Sequence, residues 1–409
     1  MPQSMILSFL YQNNRELLAS TAIFCTTNPP RVQLSIFTMS TTTTKTTTET
    51  IPSTTDSQYY GKLRYIPLGE TPKPSPHNFH LPEMKEFGDV RLQRLVDMRP
   101  VPTVADLPKA KEGTAQLSTH GFAAVYHPTS MNSAPYTINS WKDPNLLKQH
   151  YVPETEDMVK QMTGAKTVLT EALLIRSAIW SEQDALATHA GHGENEPEPE
   201  PKSQEDTDLE LGFPQFIGFS KKHGGASPAP KVHLDYAPNG ARTHLRKYHP
   251  TMTAASKEII AAEDKLLAEG KSLRETYAES KLGPRWALFS IWRPLKRVHR
   301  DPLALGDART FLERDYVPVI VKTPNLGIPG DVSTHSTESY LAHWSEGQKW
   351  YFVPKQEPEE VLVIGLFDSN RDKETVAAGG TLHSSVDLPG TENEEPRESL
   401  ELRCLAIWD

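Results

Sequence analysis

From Gly121 to the C-terminus the chain is cut into short apolar or alternating runs by Pro, Gly, Asp and Asn, and this punctuation limits what it can fold into. The runs read as strands: Phe122–Tyr126, Lys166–Ser177, Phe216–Phe219, Lys231–Tyr236, Trp286–Trp292, Tyr316–Lys322, Lys349–Val353, Val361–Phe367 and Leu400–Trp408. The last alternates apolar and polar residues before turning wholly apolar, as a strand with one covered face does. Two helices interrupt the series. Glu154–Met162 is short, and Ala254–Glu279 is long, with Ile259, Ile260, Leu266, Leu267 and Leu273 as its apolar stripe. Many short strands and few helices predict a mainly β protein with peripheral helices, a double-stranded β-helix of the jelly-roll, cupin-like kind.

Composition explains the rest of the length. A mean hydropathy of −0.51 and 37% hydrophobic residues are low for a packed chain. Residues 1–58 form a Ser/Thr-rich polar leader, predicted disordered, within which Met39 offers an alternative start. Residues 59–120 read as an extended Pro-rich arm packing on the core. Pro67, Pro72, Pro74, Pro76 and Pro82 exclude a regular helix across Ile66–Pro82, and one helix is predicted near Asp89–Met98. Residues 121–409 form the jelly-roll domain, with an acidic insert at 191–211. That insert holds eight acids and one base, so most of the chain's formal −9 belongs to it. Its alternating Glu-Pro sequence cannot bury enough apolar area to fold. The nearly neutral remainder lacks the basic face of a nucleic-acid binder. Charge therefore points to no partner.

Cys25 and Cys404 are the only cysteines, too few for a disulfide framework or a thiolate zinc site, which suits a reducing compartment. No run approaches the roughly 18 apolar residues that a membrane span needs. The apolar patches Met5–Tyr11 and Leu17–Cys25 are split by polar residues, unlike a signal peptide. The acid-poor first 48 residues faintly resemble a mitochondrial transit peptide; a cytoplasmic protein is the preferred expectation. The sequence leaves the oligomeric state open.

The segment Lys231-Val232-His233-Leu234-Asp235-Tyr236 places His233 and Asp235 on one face of a strand, because side chains alternate with period two. An imidazole and a carboxylate on one face are two parts of a 2-His-1-carboxylate triad, which holds Fe(II) and leaves positions open for a co-substrate and O2. His383 is the candidate third ligand. Arg397-Glu398-Ser399 follows fourteen residues later, so Arg397 is placed to grip the far carboxylate of 2-oxoglutarate, with the Ser399 hydroxyl adding a bond. Arg403, on the same face of the final strand, is a rival anchor. A His-x-Asp pair alone carries little weight, and a second exists at His299-Arg300-Asp301. Its cationic neighbours would repel a metal, so it ranks second.

At these residues the chain resembles the fungal gibberellin-desaturase-like family, which includes the asaB hydroxylase/desaturase and is related to the cephem-methoxylase small-chain type. The resemblance runs through His233-Leu234-Asp235-Tyr236, Ser290-Ile291-Trp292-Arg293-Pro294-Leu295 and Arg300-Asp301-Pro302-Leu303-Ala304-Leu305-Gly306-Asp307-Ala308-Arg309. It continues through Lys349-Trp350-Tyr351-Phe352, Phe367-Asp368-Ser369, His383 with Asp387 and Pro389, and Pro396-Arg397-Glu398-Ser399-Leu400-Glu401-Leu402-Arg403. It spans about Gly121 to the C-terminus. The resemblance implies a double-stranded β-helix oxygenase acting on a small metabolite with Fe(II), 2-oxoglutarate and O2, and it favours His233/Asp235 over the second pair. The acidic insert and the Ser384-Ser385-Val386 that follows His383 depart from the family pattern, so the family's substrates do not carry over.

Arg293 is a candidate for a substrate carboxylate, or else a structural partner of Asp307 or Asp368; Tyr236 is a second substrate candidate. Trp344, Trp350 and Tyr351 read as core aromatics. Gly224-Gly225 and Gly379-Gly380 lack the strand-to-helix context of phosphate binding and read as turns. Two rivals stand beside the oxygenase. One is an S-adenosylmethionine-dependent methyltransferase, which would want a glycine-rich strand-loop-helix that the chain lacks. The other is a non-catalytic small-molecule-binding jelly roll.

Overall fold

The computed structural model describes residues 59–75, 80–99, 107–178, 212–219, 226–279, 283–331, 333–372 and 374–408. The predicted leader at 1–58 and the acidic insert at 191–211 lie outside the described residues, as do Gly224 and Gly225. Among the described residues fourteen strands form two sheets. The larger runs β1 (Tyr59–Tyr65), β2 (Asp89–Asp97), β11 (Trp350–Phe352), β8 (Leu303–Gly306), β13 (His383–Ser385), β6 (His233–Leu234), β10 (Thr334–Ala342) and β9 (Tyr316–Pro324). The smaller runs β3 (Phe122–Tyr126), β12 (Glu360–Asp368), β7 (Trp286–Pro294), β14 (Ser399–Ile407), β4 (Thr167–Arg176) and β5 (Gln215–Ile217). Pairing is antiparallel except β2 with β11 and β4 with β5. This is the jelly roll expected from the run of short strands.

Period-two alternation sorts the smaller sheet into two faces. On β7 and β14, Ala287, Phe289, Ile291, Leu400, Leu402 and Cys404 turn outward. There they join Leu117 of α1 (Thr114–His120) and Met158, Val159 and Met162 of α2 (Val152–Thr163). Trp286, Leu288, Trp292 and Leu405 turn inward to the other apolar cluster. At full burial each large side chain contributes roughly 1.5–3 kcal/mol, so both faces of this sheet are held by apolar burial.

Three expectations change. Asp89–Met98 is strand β2 rather than a helix, paired with β1 from Tyr59↔Leu95 to Tyr65↔Asp89. The long helix is three: α4 (Pro250–Ala255), α5 (Lys257–Ala268) and α6 (Leu273–Ala278), preceded by α3 (Pro238–Lys247). Its breaks fall at Ser256 and at Gly270, where φ is +68°, a left-handed turn that glycine takes without strain; Ser272 then caps α6 through its hydroxyl. The expected strand Lys231–Tyr236 keeps only His233–Leu234 in the ladder. Among the described residues no helix is long and apolar enough to cross a membrane.

Candidate metal and co-substrate site

β6 and β13 are neighbours, and His233 and His383 are directly paired across them, with ring centroids 4.4 Å apart. Each ring sets its Nδ1 against the carbonyl two residues back: His233 on Lys231 O at 2.7 Å, His383 on Thr381 O at 2.9 Å. A carbonyl only accepts, so Nδ1 donates and, in a neutral ring, Nε2 keeps its lone pair. Burial lowers the His233 pKa to about 3, with His383 nearby adding to the effect, so this ring is neutral. Asp235 completes the group, its Oδ1 3.7 Å from His233 Nε2. Burial pushes its carboxyl upward, but Arg403, then the two histidines, hold it below the usual carboxylate range. The three donor atoms lie within 4.8 Å of one another. Two imidazoles and one carboxylate are the donor set of a facial Fe(II) site.

The second candidate pair does not gather ligands. Asp301 is paired with Arg300, and its backbone carbonyl accepts from Arg397 Nη1. Among the described residues His233, Asp235 and His383 form the one metal-ligating cluster.

β14 supplies the other wall of the site. Arg397, just before it, is 2% exposed, sits over the Trp292 ring at 5.3 Å and reaches Ser385 Oγ at 3.4 Å. Its Nε is buried without a hydrogen bond, and so is Ser399 Oγ. A dry, unpaired polar atom costs about 1–3 kcal/mol, so two of them two residues apart, at the start of β14, mark where a ligand's acceptor belongs. Burial, then the nearby Arg176, lowers the Arg397 pKa to about 10, which still leaves the guanidinium charged at neutral pH. The residues present therefore fit both the metal and an anionic co-substrate.

Sequence reasoning missed Arg176 and Glu401. Arg176, cross-strand from Ser399, bonds Glu401 through Nε at 2.6 Å and Ser227 O through Nη1 at 2.6 Å. Alternation from Arg397 through Ser399 would have found Glu401. Nothing in the sequence around Arg176 marks it. These side chains and Ala229 close the cavity to about 20 Å³, roughly the space of one water, so a larger ligand enters only if they move.

The two substrate candidates go elsewhere. Arg293 follows inward-facing Trp292 and so points to the outer face. There it bonds Tyr151 OH, Pro358 O and both Nδ1 and O of His127, and meets neither Asp307 nor Asp368. Tyr236 is buried, with its hydroxyl 3.3 Å from His244 Nε2, and does not line the cavity. Arg403, the rival anchor, is committed to Asp235, Nη2 to Oδ2 at 3.0 Å.

Known proteins resemble this chain in sequence and in fold. A family model described as "Oxidoreductase/YMDC permease-like domain" matches residues 73–262 and 267–407. Oxidoreductase chry3 of Gibberella zeae is 37% identical, over 87% of this chain and 100% of its own length. The Gibberellin cluster GA4 desaturase of Gibberella fujikuroi is 34% identical, over 71% of this chain and 82% of its own. In structure, the iron and alpha-ketoglutarate-dependent endoperoxidase NvfI shares the fold, with a TM-score of 0.52 at 21% identity, covering 86% of this chain and 98% of NvfI. With the fold, the donor set and these matches together, the chain belongs to the fungal gibberellin-desaturase-like oxidoreductase family.

Proposed function

We propose that this chain is an Fe(II)/2-oxoglutarate-dependent oxygenase that oxidises an unactivated C–H of a small metabolite by hydroxylation, desaturation or oxidative cyclisation. The observation that carries this reading is the pair of unsatisfied atoms, Arg397 Nε and Ser399 Oγ, beside a His/Asp/His donor set. Iron bound there, with 2-oxoglutarate and O2, supplies oxidative decarboxylation to succinate and CO2 coupled to substrate oxidation. His233 and His383 present Nε2 because their Nδ1 atoms are tied to backbone carbonyls, and Asp235 presents Oδ1 because Arg403 takes Oδ2. Arg397 gives the co-substrate's far carboxylate a charged donor and Ser399 a hydroxyl. The low volume around them favours a dry site once filled, where such bonds are strong.

The near-neutral body gives no reason to expect nucleic acid, and a cytoplasmic setting suits two cysteines, one of which, Cys404, is a buried free thiol. Anaerobically purified protein should bind one Fe(II) and release succinate from 2-oxoglutarate when offered a metabolite extract. A substrate gains one oxygen or loses two hydrogens. His383→Ala should abolish both iron binding and turnover. Iron-independent turnover would refute the reading, and a wild-type protein that binds metabolites without consuming 2-oxoglutarate would return it to a binding jelly roll.

A further inference from the structure

Farther along the same two strands lies a second group of unsatisfied atoms. The register of β4 and β14 shifts at Arg403/Cys404, where Arg403 faces Ala172 and Cys404 faces Thr170, so Glu171 is the extra residue of a bulge. The parity of β4 changes across it. Before the bulge, Val168 joins the outer apolar layer and Thr170 bonds Glu156 of α2; after it, Leu173 and Ile175 take that face. The bulge thus turns Glu171 into the interior, next to Ala172, the cross-strand partner of Arg403. Glu171 is 1% exposed. Its Oε2 lies 2.7 Å from His244 Nε2, and its Oε1 is buried with no hydrogen bond. Arg403 gives Nη2 to Asp235 and leaves its Nε equally buried and unpaired. Burial works against the Arg403 charge, but Asp235, Tyr236, Glu401 and Glu171 together raise its pKa, which places Glu171 within electrostatic reach.

One of these atoms can only accept and the other can only donate. A hydroxyl satisfies both, giving its proton to Glu171 Oε1 and accepting from Arg403 Nε–H. An ether or ketone satisfies Arg403 alone and leaves the Glu171 oxygen dry. We propose that Glu171 and Arg403 hold a hydroxyl group of the substrate beside the metal-binding residues, so that the substrate is an alcohol and Glu171 selects it. Calling this alcohol the substrate rests on the oxygenase reading; its binding does not need iron.

The test uses metal-free full-length protein and three small alicyclic alcohols, 1-adamantanol, borneol and cyclohexanol, each paired with its methyl ether, titrated by ligand-detected NMR. At least one alcohol should bind about tenfold or more tightly than its ether, because a site built for a hydroxyl leaves its own groups unpaired with the analogue. Glu171→Gln gives a signed outcome. A carboxylate offers only acceptors, so the His244 bond takes its proton from Nε2; with that tautomer kept in the variant, the Gln oxygen turns to His244. Its amide N–H then joins Arg403 Nε–H as a second donor, and the preference should invert toward the ether. Unchanged Co(II) binding by that variant shows that the site is intact. Equal binding of alcohol and ether, no binding of any alcohol by wild type, or a Glu171→Gln chain that keeps the alcohol preference would each overturn the proposal and leave an ordered water only. The wild-type contrast decides the matter even if the variant fails to fold. Absence of Fe(II)-dependent succinate release would sink the oxygenase reading while leaving this contrast intact.

Discussion

Asp235 divides its two oxygens between two strands: Oδ2 lies 3.0 Å from Arg403 Nη2, and Oδ1 lies 3.7 Å from His233 Nε2. The ligand carboxylate is therefore oriented by β14 of the smaller sheet while the histidines come from the larger one. Arg403, the rival co-substrate anchor, takes Asp235 Oδ2 and leaves Oδ1 on the side of the histidines.

Arg403→Leu should expose what this pairing does. It leaves Asp235 as an uncompensated buried charge, a change that costs about 3–5 kcal/mol. A divalent metal restores a positive partner to Asp235. Urea denaturation with and without Co(II) should then show a larger stabilisation by metal in the variant than in wild type. Equal stabilisation in the two proteins would mean that the ion pair is not what orients the ligand.

Arg397 and Ser399 should separate co-substrate binding from metal binding. A charge-assisted hydrogen bond contributes about 1.5–3 kcal/mol, so Arg397→Ala should raise the 2-oxoglutarate KM by about tenfold to a hundredfold. Ser399→Ala should raise it by up to about tenfold, yet leave the free protein as stable as wild type, because its hydroxyl has no partner to lose. Fe(II) affinity should stay unchanged in both. A marked loss of stability in Ser399→Ala would show that the hydroxyl is already satisfied without ligand.

The parts of this site that were legible in the sequence are those set by local geometry. His233 and Asp235 follow from period two, and Ser399 and Arg403 follow from the same rule along one strand, with Arg397 just before it; Glu401 obeys that rule and was overlooked. What failed depended on partners remote in sequence. β2 carries Leu92, Leu95 and Val96 at helical spacing, and only pairing with β1 and β11 makes it a strand. β10 and β13 went unread because Thr334-His335-Ser336-Thr337 and His383-Ser384-Ser385 show no apolar stripe; in these strands Ser339 Oγ bonds Asp235 O and Ser385 Oγ meets Arg397. Glu171 reaches the interior by a bulge, and Arg293 leaves it because its neighbour Trp292 faces in. Neither turn of a strand face is written in the residues themselves.

Arg293 leads to a pH dependence on the outer face. Its Nη2 donates to His127 Nδ1 at 3.0 Å, so that imidazole must keep a lone pair there. Burial, then Arg293, lowers the His127 pKa to about 4. The unfolded value is near 6.5, so between these limits the unfolded chain binds the extra proton and stability falls as pH falls. At full slope this is about 1.4 kcal/mol per pH unit, or about 2 kcal/mol from pH 6.5 to 5. His233 and His335, also lowered chiefly by burial, add in the same direction. Urea denaturation of metal-free protein should show constant stability above pH 7 and a decline below 6.5. His127→Asn keeps an acceptor for Arg293 without a titrating ring, and should flatten the decline by about one proton; an unchanged slope would place the titration elsewhere.

Gly240 reverses an ordinary rule of helices. In an exposed helix interior, Gly→Ala stabilises by about 1 kcal/mol. In α3 a Cβ at this position would lie 1.9 Å from Glu338 O of β10, and the neighbouring Ala237 N–H donates to that same oxygen at 2.9 Å. The helix cannot slide away without breaking this bond, so Gly240→Ala should destabilise by about 1–3 kcal/mol, as overpacking does. The same helix carries His244, the hydrogen-bond partner of Glu171, so the displacement should also weaken whatever binds beside Glu171 while leaving Fe(II) affinity at His233, Asp235 and His383 nearly intact. Urea denaturation together with a Co(II) titration checks both halves. A stability equal to wild type or higher would show that α3 is not pinned to β10, and a matching loss of metal affinity would show that helix and metal ligands move as one body.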